Sequence, residues 1–279
     1  MADKIIPPSK HIQYIQYESG RFETIESEII VETPVSLTIN GEVWLTLMCT
    51  PVDLEALALG FLYNERLIES KDEIAAIRVC PAGDNVDVWL NHPIDKPEQW
   101  RRTSGCTGGM TSVESKTQLD EAYIKTNGTV LTPDQVCGLI AKLFEAQSLY
   151  RLSGGVHTSA LTDGEQVLVF AEDIGRHNTL DKLAGHCLLG GIDPERCVIV
   201  TTGRISSEML QKSKRLGASI VISRTSPSSL SIELAEKWGM TLIGYTRRNR
   251  FNIYTHPVRI LNPEEREDHV EQTPQVQAH

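Results

Sequence analysis

The chain has 279 residues, 40% of them hydrophobic, with 27 Lys and Arg against 37 Asp and Glu for a formal net charge of −10. That length holds a sizeable core and commonly divides into two domains, while the acidic balance argues against a general affinity for nucleic acid, which calls for a clustered basic surface. The first twenty residues carry no secretory signal pattern, no apolar run is long enough to span a membrane, and six cysteines form no CxxC pair, so reduced thiols in the cytoplasm are expected.

Apolar or alternating residues predict strands at 29–31, 35–39 and 43–47, with Asn40-Gly41 as a hairpin turn. Thr50-Pro51 predicts the capped start of a helix in which Leu54, Leu57, Ala58, Phe61 and Leu62 recur at core spacing. Strands are expected again at 74–79 and 86–90. Residues 91–127 then lose periodicity and gain Pro, Gly, Ser and Thr around RRTSGCTGGMTS. Such a long irregular stretch is usually functional or disordered, and here it joins the two halves.

From Thr132 helix and strand alternate. Thr132-Pro133 opens a helix with Val136, Leu139, Ile140, Leu143 and Phe144, and the strand runs VLVFA, CVIVTT, SIVIS and TLIGY are separated by helical segments at 178–189, 206–216 and 229–238. Apolar strands with intervening helices imply an α/β fold with a parallel or mixed sheet covered on both faces. The expected domains are 1–128 and 129–261, followed by a polar tail at 262–279 expected to be disordered.

Each of these strands is followed by a small, polar or basic turn: AEDIGRHN, TTGRISSE, SRTSPSS and YTRRNR. Ligands of open α/β sheets bind at the carboxyl ends of the strands, and helix N-termini there attract anions. Ser, Thr or Asp in any one such turn is most often a plain helix cap. Four polar turns on one edge shift the balance, because Arg176, Arg204, Arg224, Arg247, Arg248 and Arg250 would converge on one mouth. A nucleotide or pyrophosphate-bearing cofactor fits that charge. Gly203 would let a ligand approach the backbone. His157 and His177 are open between general acid, ligand hydrogen bonding and a structural role. No close Cys/His cluster suggests zinc.

Cys49, Cys137, Cys187 and Cys197 lie among apolar residues and read as small core side chains, and Cys80 beside Pro81 reads as structural. Cys106 differs. It stands between glycines just after Arg101 and Arg102, where positive charge favours thiolate.

The stretches TPVDLEALALGFLYNERLI, TSGC, SGGVHTSAL, AEDIGRHNTLDKL, TTGRISSEMLQKSKRLG and SRTSPSSLSIELAEKWGMTLIGYTRRNRFNIYTHP make the chain resemble the FdhD family of formate dehydrogenase accessory proteins, from about Glu32 to Ile260. The resemblance implies a cytidine-deaminase-like three-layer α/β/α C-terminal domain without zinc and a smaller N-terminal α+β domain. It implies a sulfur carrier that takes persulfide sulfur from a cysteine desulfurase. The acceptor would be the molybdenum (or tungsten) bis-molybdopterin guanine dinucleotide, before that cofactor enters the formate dehydrogenase apoenzyme. Cys106 matches the family's persulfide cysteine, and Tyr245, Thr246, Arg247, Arg248, Asn249 and Arg250 match its cofactor-binding segment. Arg176, His177, Gly203, Arg204, Ser223 and His157 are expected around the same cofactor. A homodimer is a further family-level expectation. Many relatives carry CxxC, whereas Gly109 stands at the second position here, which excludes a two-cysteine relay and leaves a non-catalytic pterin-cofactor chaperone as the alternative. A nucleotide hydrolase or deaminase, suggested by fold analogy alone, is the weaker reading.

Overall fold

Turn chemistry sets the first strands in the computed structural model, which describes residues 6–98, 100–102, 110–112, 123–124, 129–195 and 197–261. β1 (Ser9–Glu18) and β2 (Arg21–Ile30) form an antiparallel hairpin around Ser19-Gly20, whose φ values of 49° and 87° are those of a type I′ turn. Sequence reading found only the end of this hairpin. Tyr14 and Ile29 are exposed on one face and Ile15, Tyr17 and Phe22 on the other, so neither face shows the one-sided alternation that marks a half-buried strand.

β3 (Thr33–Ile39) and β4 (Glu42–Cys49) turn at Asn40-Gly41 as expected, with φ 48° and 85°. With β5 (Ile74–Val79) and β6 (Asn85–Leu90) they make a four-stranded sheet in the order β4-β3-β6-β5, in which β3 and β6 run parallel. Helix α1 (Leu54–Asn64) covers it through Leu57, Phe61 and Leu62. Thr50-Pro51 does not start this helix. Asp53, at φ 52°, is the cap residue and makes no side-chain cap bond. The Thr50 hydroxyl instead accepts from the Ile174 N–H at 3.1 Å. A short antiparallel pair, β7 (Trp100–Arg102) with β8 (Met110–Ser112), adds order to a stretch that sequence reading left irregular.

The second half begins with α2 (Pro133–Ala146), held by a Thr132/Gln135 capping box, and α3 (Leu149–Ser153). Then follow β9 (His157–Thr162), β10 (Val167–Asp173), α4 (Arg176–Gly190), β11 (Val198–Thr201), α5 (Ser207–Arg215) and β12 (Ile220–Ser223). α6 (Ser229–Trp238), β13 (Thr241–Arg247) and β14 (Arg250–Thr255) complete it. Six strands pair in the order β10-β9-β11-β12-β13-β14, with β11, β12 and β13 parallel and the outer strands antiparallel to their neighbours.

Residue alternation along the central strands builds two cores. Val198, Val200, Ile220, Ile222 and Ile243 pack against α2, while Ile199, Val221 and Leu242 pack with α4, α5 and α6. The result is mixed α/β, with helices on both faces of the larger sheet. β9 escaped the sequence reading because Thr158, Ser159 and Thr162 are polar. They are fully buried all the same, since Ser159 Oγ lies 2.6 Å from Thr179 Oγ1 and 2.8 Å from Thr201 Oγ1.

The two sheets meet where α1 crosses α4 backbone to backbone. A Cβ on Gly60 would lie 1.7 Å from the Asp181 carbonyl oxygen, and one on Gly185 would lie 1.9 Å from that of Ala56. Beside this crossing Lys182 Nζ sits 2.7 Å from Asp173 Oδ2, both side chains fully buried. Asp173 also accepts from the N–H of Thr50 and of Gly175 and from Asn178 Nδ2.

Candidate functional site

The polar turns at the ends of β10, β11, β12 and β13 lie along one edge of the large sheet. Gly203 is needed where the turn after β11 meets α4, because a Cβ there would come within 2.9 Å of Arg176 Cβ. Ser223 ties the next turn down: its Oγ donates to the Gly203 carbonyl at 2.7 Å and accepts from the Thr225 N–H at 3.0 Å. The β13–β14 hairpin closes onto the same turn. Tyr245, left-handed at φ 53°, sits in a bulge and donates its N–H to the Thr225 carbonyl at 2.9 Å. A Cβ on Gly244 would lie 2.9 Å from that carbonyl oxygen.

These turns frame a cavity of about 620 Å³ lined by His157, Thr202, Arg224, Thr225 and Arg247, with Tyr150 and Phe144 on the helical side. Arg247 Nη1 donates to the carbonyl oxygens of Arg224 and Thr246, which locks the two arginine-bearing segments together. The Arg224 guanidinium lies 6.0 Å from the centre of the Phe144 ring, and its Nη1 is buried with no hydrogen-bond partner among the described residues. A buried donor without an acceptor costs roughly 1–3 kcal/mol or more when charged, and an oxyanion in the cavity would relieve it.

A second cavity of about 780 Å³ shares Phe144, Arg224 and Arg247 with the first and adds Arg248 and Cys137. Cys137 is therefore not a core residue. The buried stripe of α2 is Val136, Leu139, Ile140 and Leu143, and one step further round the helix Cys137, Ala141 and Phe144 face the groove. Burial, then the neighbouring Asp134, raises the Cys137 thiol above its usual pKa.

His157 opens β9, half-buried, with Nδ1 3.5 Å from Thr202 Oγ1. Burial and then the charge of Arg176 hold its imidazole below the ordinary histidine range, Asp173 opposes this, and Arg204 adds to it. Arg176 is 5% exposed at the start of α4, and Arg204 is exposed. His177 is 3% exposed and lines neither cavity. Its Nε2 lies 3.3 Å from the Ser206 hydroxyl that caps α5. Arg248, Asn249 and Arg250 are exposed; Arg248 borders the second cavity, and Asn249 and Arg250 line neither of the two. Thr246 is fully buried with Oγ1 unpartnered among the described residues.

Cys106 falls in residues 103–109, between β7 and β8 in sequence and outside the described residues, as does Gly109. Cys49, Cys187 and Cys197 are buried, with thiols pushed up to about 12, about 12 and about 11 by desolvation, which disfavours the reactive thiolate. Cys80 Sγ donates to Asp84 Oδ1 at 2.9 Å. No group of three or more His, Cys, Asp and Glu able to hold a metal ion occurs among the described residues. Thr202 and Thr225 were missed by sequence reading although they lie in the flagged turns. Tyr150 and Phe144 carry no strand-end signal at all.

The burial of His177 has a measurable consequence. Desolvation first, then Lys212 and Arg176, lowers its pKa to about 3, against an ordinary 6.5. The folded state therefore refuses a proton that the unfolded chain accepts, and stability present above pH 6.5 is lost as the pH falls toward 3. The expected contribution is a slope of up to about 1.4 kcal/mol per pH unit. Urea unfolding between pH 7 and pH 4 should show it, and His177→Gln should flatten it.

A family model described as the FdhD/NarQ family matches residues 30–261. A protein of Bacillus subtilis named sulfur carrier protein FdhD is 38% identical over 248 residues, 88% of this chain and 95% of the relative. One of the same name from Staphylococcus aureus is 35% identical over 256 residues, 90% of this chain and 96% of the relative. The crystal structure of a candidate formate dehydrogenase accessory protein from Desulfotalea psychrophila superposes with a TM-score of 0.75 at 32% identity. It covers 91% of this chain and 100% of its own.

Proposed function

The chain belongs to the FdhD/NarQ family, and on that premise we propose that it carries sulfur on Cys106 to a guanine-dinucleotide pterin cofactor of molybdenum or tungsten bound for formate dehydrogenase. The Cys106 thiolate attacks the outer sulfur of a cysteine desulfurase persulfide. That S–S bond breaks, the desulfurase cysteine leaves as thiolate, and Cys106 becomes the persulfide. At the cofactor the terminal sulfur departs as a sulfido ligand, two electrons coming from the metal centre, and Cys106 returns to thiolate. With Gly109 in place of a second cysteine, the acceptor takes the sulfur directly.

The observation that supports the cofactor site best is the interlocked pair Arg224 and Arg247, with Arg224 Nη1 lacking an acceptor among the described residues beside the 620 Å³ cavity. A pyrophosphate on these arginines makes charge-assisted bonds and leaves the guanine near Phe144 and Tyr150. Arg248, Asn249 and Arg250 then meet the part of the cofactor outside the cavity, Arg176 and Arg204 charge its surroundings, Gly203 and Ser223 fix the turns that frame it, and His177 stands behind them on the cap of α5. The mixed sheet with helices on both faces is compatible with the cytidine-deaminase-like arrangement. Separate cores in 33–90 and 131–260 support division near residue 128. Work in the cytoplasm and self-association as a dimer complete the proposal.

Incubation with a cysteine desulfurase and cysteine should add one sulfur to Cys106 by peptide mass spectrometry. Cys106→Ala should add none, and a variant still carrying sulfane sulfur defeats the assignment. Arg247→Ala should weaken binding of guanosine diphosphate by about 10- to 100-fold, the worth of a charged hydrogen bond. The missing second cysteine favours one other reading, a cofactor chaperone that performs no sulfur chemistry. On that reading Cys106→Ala still yields active formate dehydrogenase in cells, whereas Arg247→Ala does not.

A further inference from the structure

We infer that His157 takes up a proton when a pyrophosphate enters the cavity beside it, so that ligand binding and imidazole protonation are a single linked event. The inference rests on reading that cavity as the site of the guanine-dinucleotide moiety.

The arrangement of charge around the ring carries the argument. His157 lines the cavity with Arg224 and Arg247, and Arg176 and Arg204 act on it from the start of α4 and the turn after β11. Its polar neighbours among the described residues include the Thr202 hydroxyl, Tyr150 on α3, and His177, itself buried and neutral. Among the described residues one acid acts on it, Asp173, its cross-strand partner on β10. That carboxylate is committed elsewhere, 2.7 Å from Lys182 Nζ and accepting three N–H bonds. An imidazolium at this position thus has cations on several sides and an acid already matched, so its protonation is disfavoured while no anion is present. A diphosphate reverses the field: it supplies acceptors for a second ring N–H and offsets the arginines. Binding then raises the His157 pKa. Linkage requires affinity to fall as pH rises between the free and bound values, by at most tenfold per pH unit for one proton.

The test is calorimetric titration of the full chain with guanosine diphosphate, at several pH values from 6 to 8.5 and in buffers of different ionisation enthalpy. Wild type should take up a fraction of a proton approaching one, over and above any proton the nucleotide itself exchanges. His157→Gln, which keeps a hydrogen-bonding side chain, should bind with that extra uptake gone and a flatter pH profile. NMR of the wild-type imidazole should show its titration midpoint move upward when the nucleotide is added, a readout that needs no variant. Nucleotide that binds wild type and His157→Gln with the same proton uptake, or leaves the midpoint unmoved, overturns the inference while the cavity assignment survives. No binding at all by either protein sinks the cavity assignment and the inference with it.

Discussion

Gly60→Ala should cost about 3 kcal/mol or more of folding stability, and Gly185→Ala a similar amount. Overpacking a core ordinarily costs about 1–3 kcal/mol because neighbouring side chains can turn aside. Here the new methyl would lie 1.7 Å from the Asp181 carbonyl oxygen, or 1.9 Å from that of Ala56, and those atoms are helix backbone. α1 and α4 must separate bodily, which also disturbs Asn64 Nδ2 donating to Asp181 and the Asp181–Lys212 pair at 2.6 Å. Urea unfolding or thermal scans of the purified variants measure the loss. Gly138→Ala, where a Cβ meets nothing within 4 Å, is the matched control and should be neutral or slightly stabilising in helix α2. Equal stability of the Gly60 and Gly138 variants would show that the crossing relaxes freely.

Lys182→Met should cost about 3–5 kcal/mol, the usual consequence of stripping one partner from a buried ion pair. The methionine fills the space but leaves the Asp173 carboxylate with three N–H donors and no cation. Asp173→Asn in the Lys182→Met background removes that charge and should recover part of the loss. A double-mutant cycle in urea gives the coupling directly. If the double variant is no more stable than Lys182→Met, the charge on Asp173 is not what the lysine serves.

Much of the larger sheet was readable because β11 and β12 are buried on both faces and so appear as Val and Ile runs, and β13 opens on the buried Thr241 to Gly244. The turns after them announced the arginines, since strand ends of an open sheet are the natural place for an anion. What failed to show had identifiable causes. β9 hides its burial behind Ser and Thr that bond one another inside the sheet, and β14 alternates exposed Arg250 and Asn252 with half-buried Phe251. The β1–β2 hairpin presents apolar residues to solvent on both faces. Cys137 was misassigned because a residue beside a core stripe and one within it look alike until the neighbouring layer is placed. Phe144 and Tyr150 reach the cavity only through the seating of α2 and α3 on the sheet. A convergence of six arginines on one mouth was too generous: Arg224 and Arg247 line it, Arg176 and Arg204 charge it, Arg248 borders the next groove, and Arg250 lines neither.

With α1 seated on α4 without intervening side chains, and Thr50 gripped by Asp173 and Lys182 on the far side, the smaller sheet has no slack against the larger. Rotation of one half over the other would have to break both contacts. In the proposed sulfur delivery, turning one half over the other would not be the means by which the sulfur reaches its acceptor.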